Sequence, residues 1–196
     1  MSDRHAEDFP NWFEMTPAKQ NFEIFLSGFK DEPNLRYLQL GAFTGDASLW
    51  LLENVLTDMT SHLTDVDTWQ GSDEQEHHKM DFTDVEKVYD LRLKDNPKVT
   101  KVKSTTMDFL RKAPLDFYDF IYIDADHTAV GVLLDAELSW LCLKSGGILG
   151  FDDYLWRERT DREDLHPQPG IHSFLERHQG EFDLLVKNWQ LWVRKK

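Results

Sequence analysis

Short apolar runs that alternate with amphipathic segments constrain the fold of this chain more than any other feature. Five runs have the length of buried strands, and segments with apolar residues at helical spacing lie between them. The runs are RYLQLG, HLTDVDTW, KVTKVKS, FYDFIYIDA and ILGFDDY. Strands that alternate with helices form a parallel sheet covered on both faces. The last segment, FDLLVKNWQLWVRK, reads as an antiparallel hairpin that turns near Lys187 and Asn188. We therefore expect an α/β fold with a doubly wound, mostly parallel sheet of seven strands, a C-terminal antiparallel hairpin and helices on both faces.

The chain length predicts a single domain, because 196 residues bury one sizeable core and are too few for two. Within residues 1–196 we expect an N-terminal arm and helix over 1–30 and the core over 31–196. The N-terminal helix should start at Thr16 and Pro17, which suit its cap and first position. A later helix should end at the pair Gly146-Gly147.

The net charge and the cysteine count limit the binding partners and the cellular compartment that we expect. A formal net charge of −14 with scattered lysines and arginines disfavours nucleic acid as a partner. The N-terminus is charged and no apolar run is long enough to span a bilayer, so we expect no membrane partner. The single cysteine, Cys142, cannot form an internal disulfide. We therefore expect a cytoplasmic protein, and the sequence leaves a homo-oligomer open.

A turn bracketed by Gly41 and Gly45 follows the first strand and precedes a helix. Glycines let the backbone approach a ligand closely and adopt positive φ. The pattern lacks the middle glycine of the dinucleotide fingerprint and the lysine of a phosphate-binding loop. A tight strand-to-helix turn without a ligand explains the glycines equally well, so this turn alone does not identify a site.

An acid at the end of the second strand supports a ligand site next to that turn. Asp67 lies 22 residues after Gly45, near the spacing at which an acid binds both hydroxyls of a ribose. The alternative is an acid that only starts a loop. A glycine turn and an acid without phosphate-binding residues fit a nucleoside without phosphate, of which S-adenosylmethionine is the obvious example.

The segments LQLGAFTGDASLWLL, DVDTWQGS and DFIYIDADHTAVGVLLDAELSWLCLKSGGILGFDDYLW, with the closing hairpin, resemble the class I S-adenosylmethionine-dependent methyltransferases. These enzymes have a Rossmann-like sheet. Within them the chain is similar to the small family of bacterial sugar O-methyltransferases of macrolide and aminocoumarin biosynthesis. The resemblance extends from about Leu35 to Val193.

The resemblance assigns the residues around the turn to the cofactor. It implies that Gly41, Ala42, Phe43 and Gly45 accommodate the methionine half of the cofactor and that Ser48 helps to bind the methionine carboxylate. Asp67 would bind the ribose, with Trp69 beside it. Thr105 and Thr106 would border the adenine, and Asp124 would adjoin the cofactor. The chain has Ser104-Thr105-Thr106 where the family commonly has Gly-Asp-Ala, so the two threonine assignments depart from the family pattern.

Acidic residues follow two strands that should be neighbours in the sheet. Asp124, Asp126 and His127 end the fourth strand, and Asp152 and Asp153 end the fifth. Unpaired carboxylates that converge on one crevice repel each other, and a hard divalent cation such as Mg²⁺ relieves that repulsion. The alternative for any single acid is a cap of a loop or helix, and Asp126 precedes a helix.

By resemblance, Asp124, Asp152 and Asp153 would be the Mg²⁺ ligands and Asp126 the general base, with His127 as the alternative base. The implied reaction is O-methylation of a small-molecule acceptor, a sugar or polyol hydroxyl first and a phenol second. Three segments can cover the acceptor: the N-terminal arm, Gly71 to Phe82 and Leu155 to Pro169. Aromatic residues that could line its pocket are Trp12, Phe13, Trp69, Tyr154 and Trp156.

Two other functions remain open from the sequence. The first is a non-catalytic S-adenosylmethionine-binding protein or regulatory subunit, which would be expected to lack the acids at the strand ends. The second is an NAD-linked dehydrogenase, which the missing middle glycine disfavours.

Overall fold

The computed structural model describes residues 5–72, 75–157 and 161–196 of the chain. A seven-stranded sheet has the order β3-β2-β1-β4-β5-β7-β6, in which β1 to β5 are parallel and β7 is antiparallel to both β5 and β6. The strands are β1 Arg36–Leu40, β2 His62–Asp67, β3 Val99–Lys103, β4 Tyr118–Ile123, β5 Leu143–Phe151, β6 Phe182–Lys187 and β7 Leu191–Lys195. The predicted fold class, including the C-terminal hairpin, is confirmed.

Helices connect the parallel strands and cover both faces of the sheet. They are α1 Trp12–Met15, α2 Ala18–Leu26, α3 Asp46–Asn54, α4 Phe82–Leu93, α5 Thr106–Leu110, α6 Ala129–Cys142 and α7 Pro167–Arg177. Side chains satisfy the free backbone N–H groups at several N-termini: Asp81 accepts from Thr83, Thr105 from Asp108 and Thr128 from Gly131. Pro167 occupies the first position of α7, where a missing N–H costs nothing.

The core has two parts, one on each side of the sheet. The helices α2, α3 and α4 pack on one face through buried residues such as Phe22, Leu51 and Tyr89. The helices α5, α6 and α7 pack on the other face through residues such as Ala136 and Phe174. Covering both faces explains why the parallel strands are almost continuously apolar.

Two helix boundaries differ from the sequence prediction. The helix α6 ends at Cys142 rather than at the glycine pair, and β5 starts with the next residue. Gly146 instead lies inside β5 with φ +81°, where the register against β4 shifts. An irregularity in a strand and the end of a helix both need a residue that adopts positive φ, and glycine does so most easily. The helix α2 starts at Ala18, and the Thr16 hydroxyl accepts the Ala18 N–H at 3.3 Å.

The three segments predicted to cover an acceptor are described only in part, because residues 1–4, 73–74 and 158–160 lie outside the described residues. Within the described part of the chain, none of the helices combines the length and the apolar character that crossing a bilayer requires.

Candidate active site

Backbone hydrogen bonds hold the carboxyl ends of the parallel strands in one row. The N–H that follows each strand donates to a carbonyl of the neighbouring strand: Ser104 to Asp67 at 3.0 Å, Gly41 to Val66 at 2.8 Å, Asp124 to Leu40 at 2.8 Å and Asp152 to Ile123 at 3.0 Å. Doubly wound sheets bind their ligands at this edge, where the strand order reverses between β1 and β4. The predicted site residues therefore lie on neighbouring loops at this edge of the sheet.

The glycine turn is determined by contacts with the protein itself. Gly41 has φ +90°, and a Cβ there would lie 1.7 Å from the carbonyl oxygen of Asp124. Gly45 has φ +83°, and a Cβ there would lie 2.5 Å from the Cδ1 of Leu93. Both positions need glycine for conformation and for space. The backbone at Gly41 thus lies against Asp124, whereas Gly45 contacts α4.

Asp67 holds the turn between these glycines. Its Oδ2 accepts the backbone N–H groups of Ala42 at 2.8 Å and Phe43 at 3.0 Å, and its Oδ1 accepts that of Trp69 at 2.7 Å. Phe43 and Trp69 both have positive φ, of 46° and 48°. Non-glycine residues adopt this conformation only when the surroundings stabilise it. The carboxylate supplies that stabilisation at two adjacent loops.

Trp69, predicted to lie beside the cofactor, is buried. Its indole Nε1 donates to the carbonyl of Phe43 at 2.9 Å, and its ring lies 4.8 Å from that of Tyr89. The ammonium of Lys101 lies 4.4 Å from the ring centroid. These contacts show a residue that ties the two loops at the strand ends together.

Ser48, predicted to bind the methionine carboxylate, is fully buried in the core. Its hydroxyl donates to Asp65 at 2.7 Å and accepts from Gln39 at 3.2 Å. Burial raises the pKa of Asp65 to about 6, and the hydrogen bonds from Ser48 and Tyr89 act in the opposite direction. The structure therefore does not bring Ser48 to the row of strand ends.

Thr105 and Thr106, predicted to border the adenine, follow β3 at the edge of the row. Thr105 caps α5, and the Thr106 hydroxyl donates to Oδ1 of Asp135 at 2.6 Å. Asp135 is 2% exposed, and its Oδ2 has no hydrogen-bond partner among the described residues. Burial raises the pKa of Asp135 to about 7. Sequence reasoning missed this acid, although Asp135, one of two acids within the apolar segment VGVLLDAELSW, was a visible signal.

Asp124, His127 and Asp153 form an acidic centre beside the glycine turn. His127 Nε2 lies 3.0 Å from Oδ2 of Asp153 and 3.6 Å from Oδ1 of Asp124. One ligand atom from each residue lies within 4.8 Å of the others. Burial and the charge of Asp153 raise the pKa of Asp124 to about 6, whereas the hydrogen bond to His127 lowers it. Two carboxylates and an imidazole at these separations can bind a divalent cation.

Asp152, predicted as a third metal ligand with Asp124 and Asp153, is not part of this centre. Its Oδ1 accepts the hydroxyl of Tyr122 at 2.6 Å and also the side-chain amide of Gln190. Burial, with the charges of Asp124 and Asp153, raises the pKa of Asp152 well above its usual range. Sequence reasoning did not propose His127 as a metal ligand, and the structure brings this residue together with Asp124 and Asp153.

Asp126, the predicted base, is exposed at the start of the loop before α6. Its Oδ1 accepts the backbone N–H of Thr128 at 2.8 Å, and Thr128 rather than Asp126 caps the helix. A Cβ on Gly131 would lie 2.1 Å from Oδ2 of Asp126, so this glycine gives the carboxylate room against the helix.

Of the five aromatic residues proposed to line an acceptor pocket, only Trp12 and Trp156 keep part of their surface exposed. The ring of Trp156 lies 5.0 Å from that of His127. Phe13 packs in the core against Phe22, and the hydroxyl of Tyr154 is hydrogen-bonded to His172 at 2.9 Å. Trp156 is therefore the aromatic residue in contact with the acidic centre.

The sheet order and the closing hairpin define the Rossmann-like methyltransferase fold. Solved structures with this fold superpose on nearly the whole chain. The S-adenosylhomocysteine-bound methyltransferase PaMTH1 of Podospora anserina has a TM-score of 0.64 at 17% identity, covering 97% of this chain and 83% of its own. An O-methyltransferase from Bacillus cereus has a TM-score of 0.62 at 16% identity, covering 97% and 86%. The N-methyltransferase NodS of Bradyrhizobium japonicum has a TM-score of 0.62 at 14% identity, covering 94% and 97%.

The sequence identifies the family directly. The model of a family described as a methyltransferase domain matches residues 38–154, more than half of the 196 residues. The chain belongs to this family of methyltransferase domains. No curated protein matches the chain. The matched region extends from β1 to Tyr154 and includes the glycine turn, Asp67 and the acidic centre.

Proposed function

We propose that the chain is an S-adenosylmethionine-dependent O-methyltransferase that uses a divalent cation, Mg²⁺, to methylate a hydroxyl of a small molecule. A sugar or polyol is the first candidate acceptor and a phenol the second. The observation that carries this proposal is the direct contact between the glycine turn and the acidic centre. Gly41 has no room for a Cβ because the carbonyl of Asp124 lies against it. A cofactor at the turn and a cation at the centre would therefore be neighbours.

The residues at the strand ends fit S-adenosylmethionine, which supplies an activated methyl group when bound. The family supports this cofactor, as do the S-adenosylhomocysteine complexes of PaMTH1 and of the Bacillus cereus O-methyltransferase. A carboxylate offers roughly four lone-pair positions. Asp67 uses three of them for backbone N–H groups, so one remains for a ribose hydroxyl. Thr105 and Thr106 would border the base, and Ala42 and Phe43 the methionine half.

The acidic centre fits a divalent cation, because the charge of Asp153 helps to raise the pKa of Asp124 and a positive charge between the two carboxylates would relieve this repulsion. Asp124, His127 and Asp153 would hold the ion. A bound cation would lower the pKa of the acceptor hydroxyl and orient it. The imidazole ligand also makes Mn²⁺ and Zn²⁺ acceptable, since nitrogen ligands suit these metals better than Mg²⁺. Asp152 is held by hydrogen bonds from Tyr122 and Gln190 and would not bind the ion directly.

Asp126 is proposed as the base that takes the proton from the acceptor hydroxyl. Its Oδ1 is held by the N–H of Thr128, and its Oδ2 makes no hydrogen bond to the described residues. The Thr128 bond fixes the carboxylate two residues after Asp124, and the exposed side chain can reach a substrate from solvent. Rate enhancement would then come mainly from alignment of the hydroxyl with the methyl donor.

The test combines binding and turnover. We expect S-adenosylhomocysteine to bind in calorimetry, and methyl transfer from S-adenosylmethionine to a sugar, polyol or phenol to stop after EDTA treatment and return with Mg²⁺. Asp126→Asn should lower turnover by roughly 10²–10⁴-fold while cofactor and cation still bind. Asp108→Asn, an exposed acid on α5, is the matched control.

Three results would change the proposal. Full activity in EDTA would remove the cation from the reaction. Transfer to amines only, which belong in the acceptor panel, would replace O-methylation by N-methylation. Binding of S-adenosylhomocysteine without transfer to any acceptor would favour the non-catalytic binding protein.

A further inference from the structure

The segment from Asp153 to Arg157 leads from the acidic centre to the helix α7. The Trp156 N–H donates to the carbonyl of Asp153 at 3.1 Å, which closes a tight turn. The Leu155 N–H donates to the carbonyl of Trp189 at 3.2 Å and fixes the same turn to the hairpin. The Trp156 ring lies 5.0 Å from that of His127, so Arg157 directly follows a residue that contacts the centre.

Among the described residues, the side chain of Arg157 is hydrogen-bonded to His166 and Gln168 and to no carboxylate. One terminal nitrogen donates to Nδ1 of His166 at 2.7 Å, and the other donates to the side-chain carbonyl of Gln168. No carboxylate within the described ranges forms an ion pair with Arg157, although the chain has 36 acidic and 22 basic residues. A guanidinium has five N–H donors, so three remain after these two bonds. This arginine is positioned but its charge is not neutralised.

The tautomer of His166 follows from the same contact. A guanidinium can only donate, so Nδ1 of His166 accepts and the ring hydrogen is on Nε2. His166 is 1% exposed, and its Nε2 has no hydrogen-bond partner among residues 5–72, 75–157 and 161–196. A buried donor without an acceptor costs free energy. The Nε2–H of His166, the residue that holds Arg157, is therefore a further donor without an acceptor among the described residues.

A second cation, Lys187, lies over an aromatic ring of the same segment. The ammonium of Lys187 lies 5.4 Å from the centroid of the Tyr154 ring, and in the described part of the chain it forms no ion pair either. In a chain of net charge −14, an anion approaching this edge is repelled unless cations are present locally. Lys187, over the ring of Tyr154, and Arg157, three residues further along the chain, supply such charge.

We propose that Arg157 determines acceptor specificity and that the acceptor carries an anionic group, a carboxylate or a phosphate, in addition to the hydroxyl that is methylated. This inference rests on the proposed function, because it concerns the acceptor of the same reaction. The planar guanidinium matches carboxylate and phosphate oxygens in pairs. His166 and Gln168 are positioning residues that hold the guanidinium with its remaining donors free.

An alternative role for Arg157 is a structural anchor that fixes the Trp156 turn to α7. The two roles predict different results for matched acceptors. Loss of an anchor weakens charged and neutral acceptors alike, because the wall of the pocket moves. Loss of an anion contact weakens only the charged acceptor, so the ratio of the two affinities separates the roles.

The experiment measures binding of matched probes to the full chain saturated with S-adenosylhomocysteine and Mg²⁺. The probes are D-glucose with D-glucuronate and D-glucose 6-phosphate, and catechol with 3,4-dihydroxybenzoate. We expect a charged probe to bind about 10–100-fold more tightly than its neutral counterpart, the range for a charge-assisted pair. Comparing glucuronate with the phosphate identifies which anion is preferred.

Arg157→Gln should abolish this preference, and Arg157→Lys should retain part of it because the charge remains without the planar fork. Arg194→Gln is the control of equal charge change, since Arg194 pairs with Ile148 toward the other end of β5 and should leave the preference intact. Equal binding of charged and neutral probes by the original chain, no binding of any charged probe, or a preference that survives Arg157→Gln would overturn the inference.

Failure of this inference and failure of the proposed function are distinguishable. The same calorimetry first measures S-adenosylhomocysteine alone. A chain that does not bind it contradicts the proposed function. A chain that binds it normally but does not discriminate between the probes contradicts only the role of Arg157.

Discussion

The carboxylate of Asp67 accepts the backbone N–H of Phe43 at 3.0 Å, so the acid at the end of β2 holds the turn that follows β1. The same side chain binds Ala42 and Trp69 through their backbone N–H groups. Two neighbouring loops with positive φ therefore depend on one carboxylate. Asp67 can have this structural role and a ribose-binding role together, since the loops that it holds are those that would surround a cofactor.

Asp67→Ala should affect both the fold and the cofactor site. Three backbone N–H groups lose their acceptor, so we expect the free energy of unfolding to fall by about 1–3 kcal/mol in urea titrations. S-adenosylhomocysteine should bind about 10–100-fold more weakly in calorimetry, since a hydroxyl contact and the loop geometry are lost together.

Asp81→Ala provides the control for that prediction. Asp81 also accepts a backbone N–H, from Thr83 at 2.9 Å, but it caps α4 on the surface. The variant should lose about 1 kcal/mol of stability and keep its cofactor affinity. Unchanged S-adenosylhomocysteine affinity in Asp67→Ala would remove Asp67 from the cofactor site.

Gly41→Ala and Gly146→Ala separate backbone strain from steric overlap. Both glycines have positive φ, 90° and 81°, but a Cβ on Gly146 meets nothing within 4 Å. Gly146→Ala should therefore lower the free energy of unfolding by about 1–2 kcal/mol, the energy of placing alanine in the left-handed conformation. Gly41→Ala should cost roughly 1–3 kcal/mol more, because its Cβ overlaps the Asp124 carbonyl. Thermal unfolding of the two variants measures the difference, and equal losses would show that the turn moves away from β4 easily.

Asp135 predicts an unusual dependence of stability on pH. Burial raises the pKa of this carboxyl to about 7 in the folded chain, above its value in the unfolded chain. A raised folded pKa means that the stabilising contribution is complete in acid and is lost as the pH rises through 7. Ionised Asp135 is then a buried charge whose one hydrogen bond among the described residues comes from the Thr106 hydroxyl.

Asp135→Asn should remove that pH dependence. Relative to the original chain, the variant should gain on the order of 2 kcal/mol of unfolding free energy between pH 5 and pH 8. Urea unfolding at the two pH values measures this gain. Asp108→Asn, on the exposed side of α5, should show no such change. Parallel pH profiles of Asp135→Asn and the original chain would show that Asp135 is already stabilised as a carboxylate.

Much of the fold followed from residue patterns that report burial. Apolar runs of strand length identified the parallel strands, and turn residues near Lys187 and Asn188 identified the hairpin between β6 and β7. The helix end was misplaced because glycine serves a helix terminus and an irregular strand equally well. Gly146 has the positive φ that either would use.

The candidate site was predicted less completely, for reasons of side-chain direction. Asp152 and Asp153 are consecutive after the end of β5, but their side chains have different partners. Asp153 reaches His127, whereas Asp152 is hydrogen-bonded to Tyr122 and Gln190. The direction of each side chain depends on the backbone of the bend at Asp152, which the sequence pattern does not give.

Ser48 shows the corresponding problem for a helix. The start of a helix was predictable from Gly45, but the direction of each side chain depends on how the helix packs on the sheet. Ser48 is directed to Asp65 within the core. Arg157 and His166, which are nine residues apart, could not be paired from the sequence, because the loop between them has no periodic pattern.

The acidic centre is tested most directly by titrating the metal-free chain with Mn²⁺ and following the free ion by electron paramagnetic resonance. We predict one saturable site per chain. Asp124→Asn and Asp153→Asn should each weaken it at least about 10-fold, because each removes a charged ligand, and Asp108→Asn should leave it unchanged. The absence of saturable Mn²⁺ binding by the original chain, or equal binding by all three variants, would contradict a cation held by Asp124, His127 and Asp153.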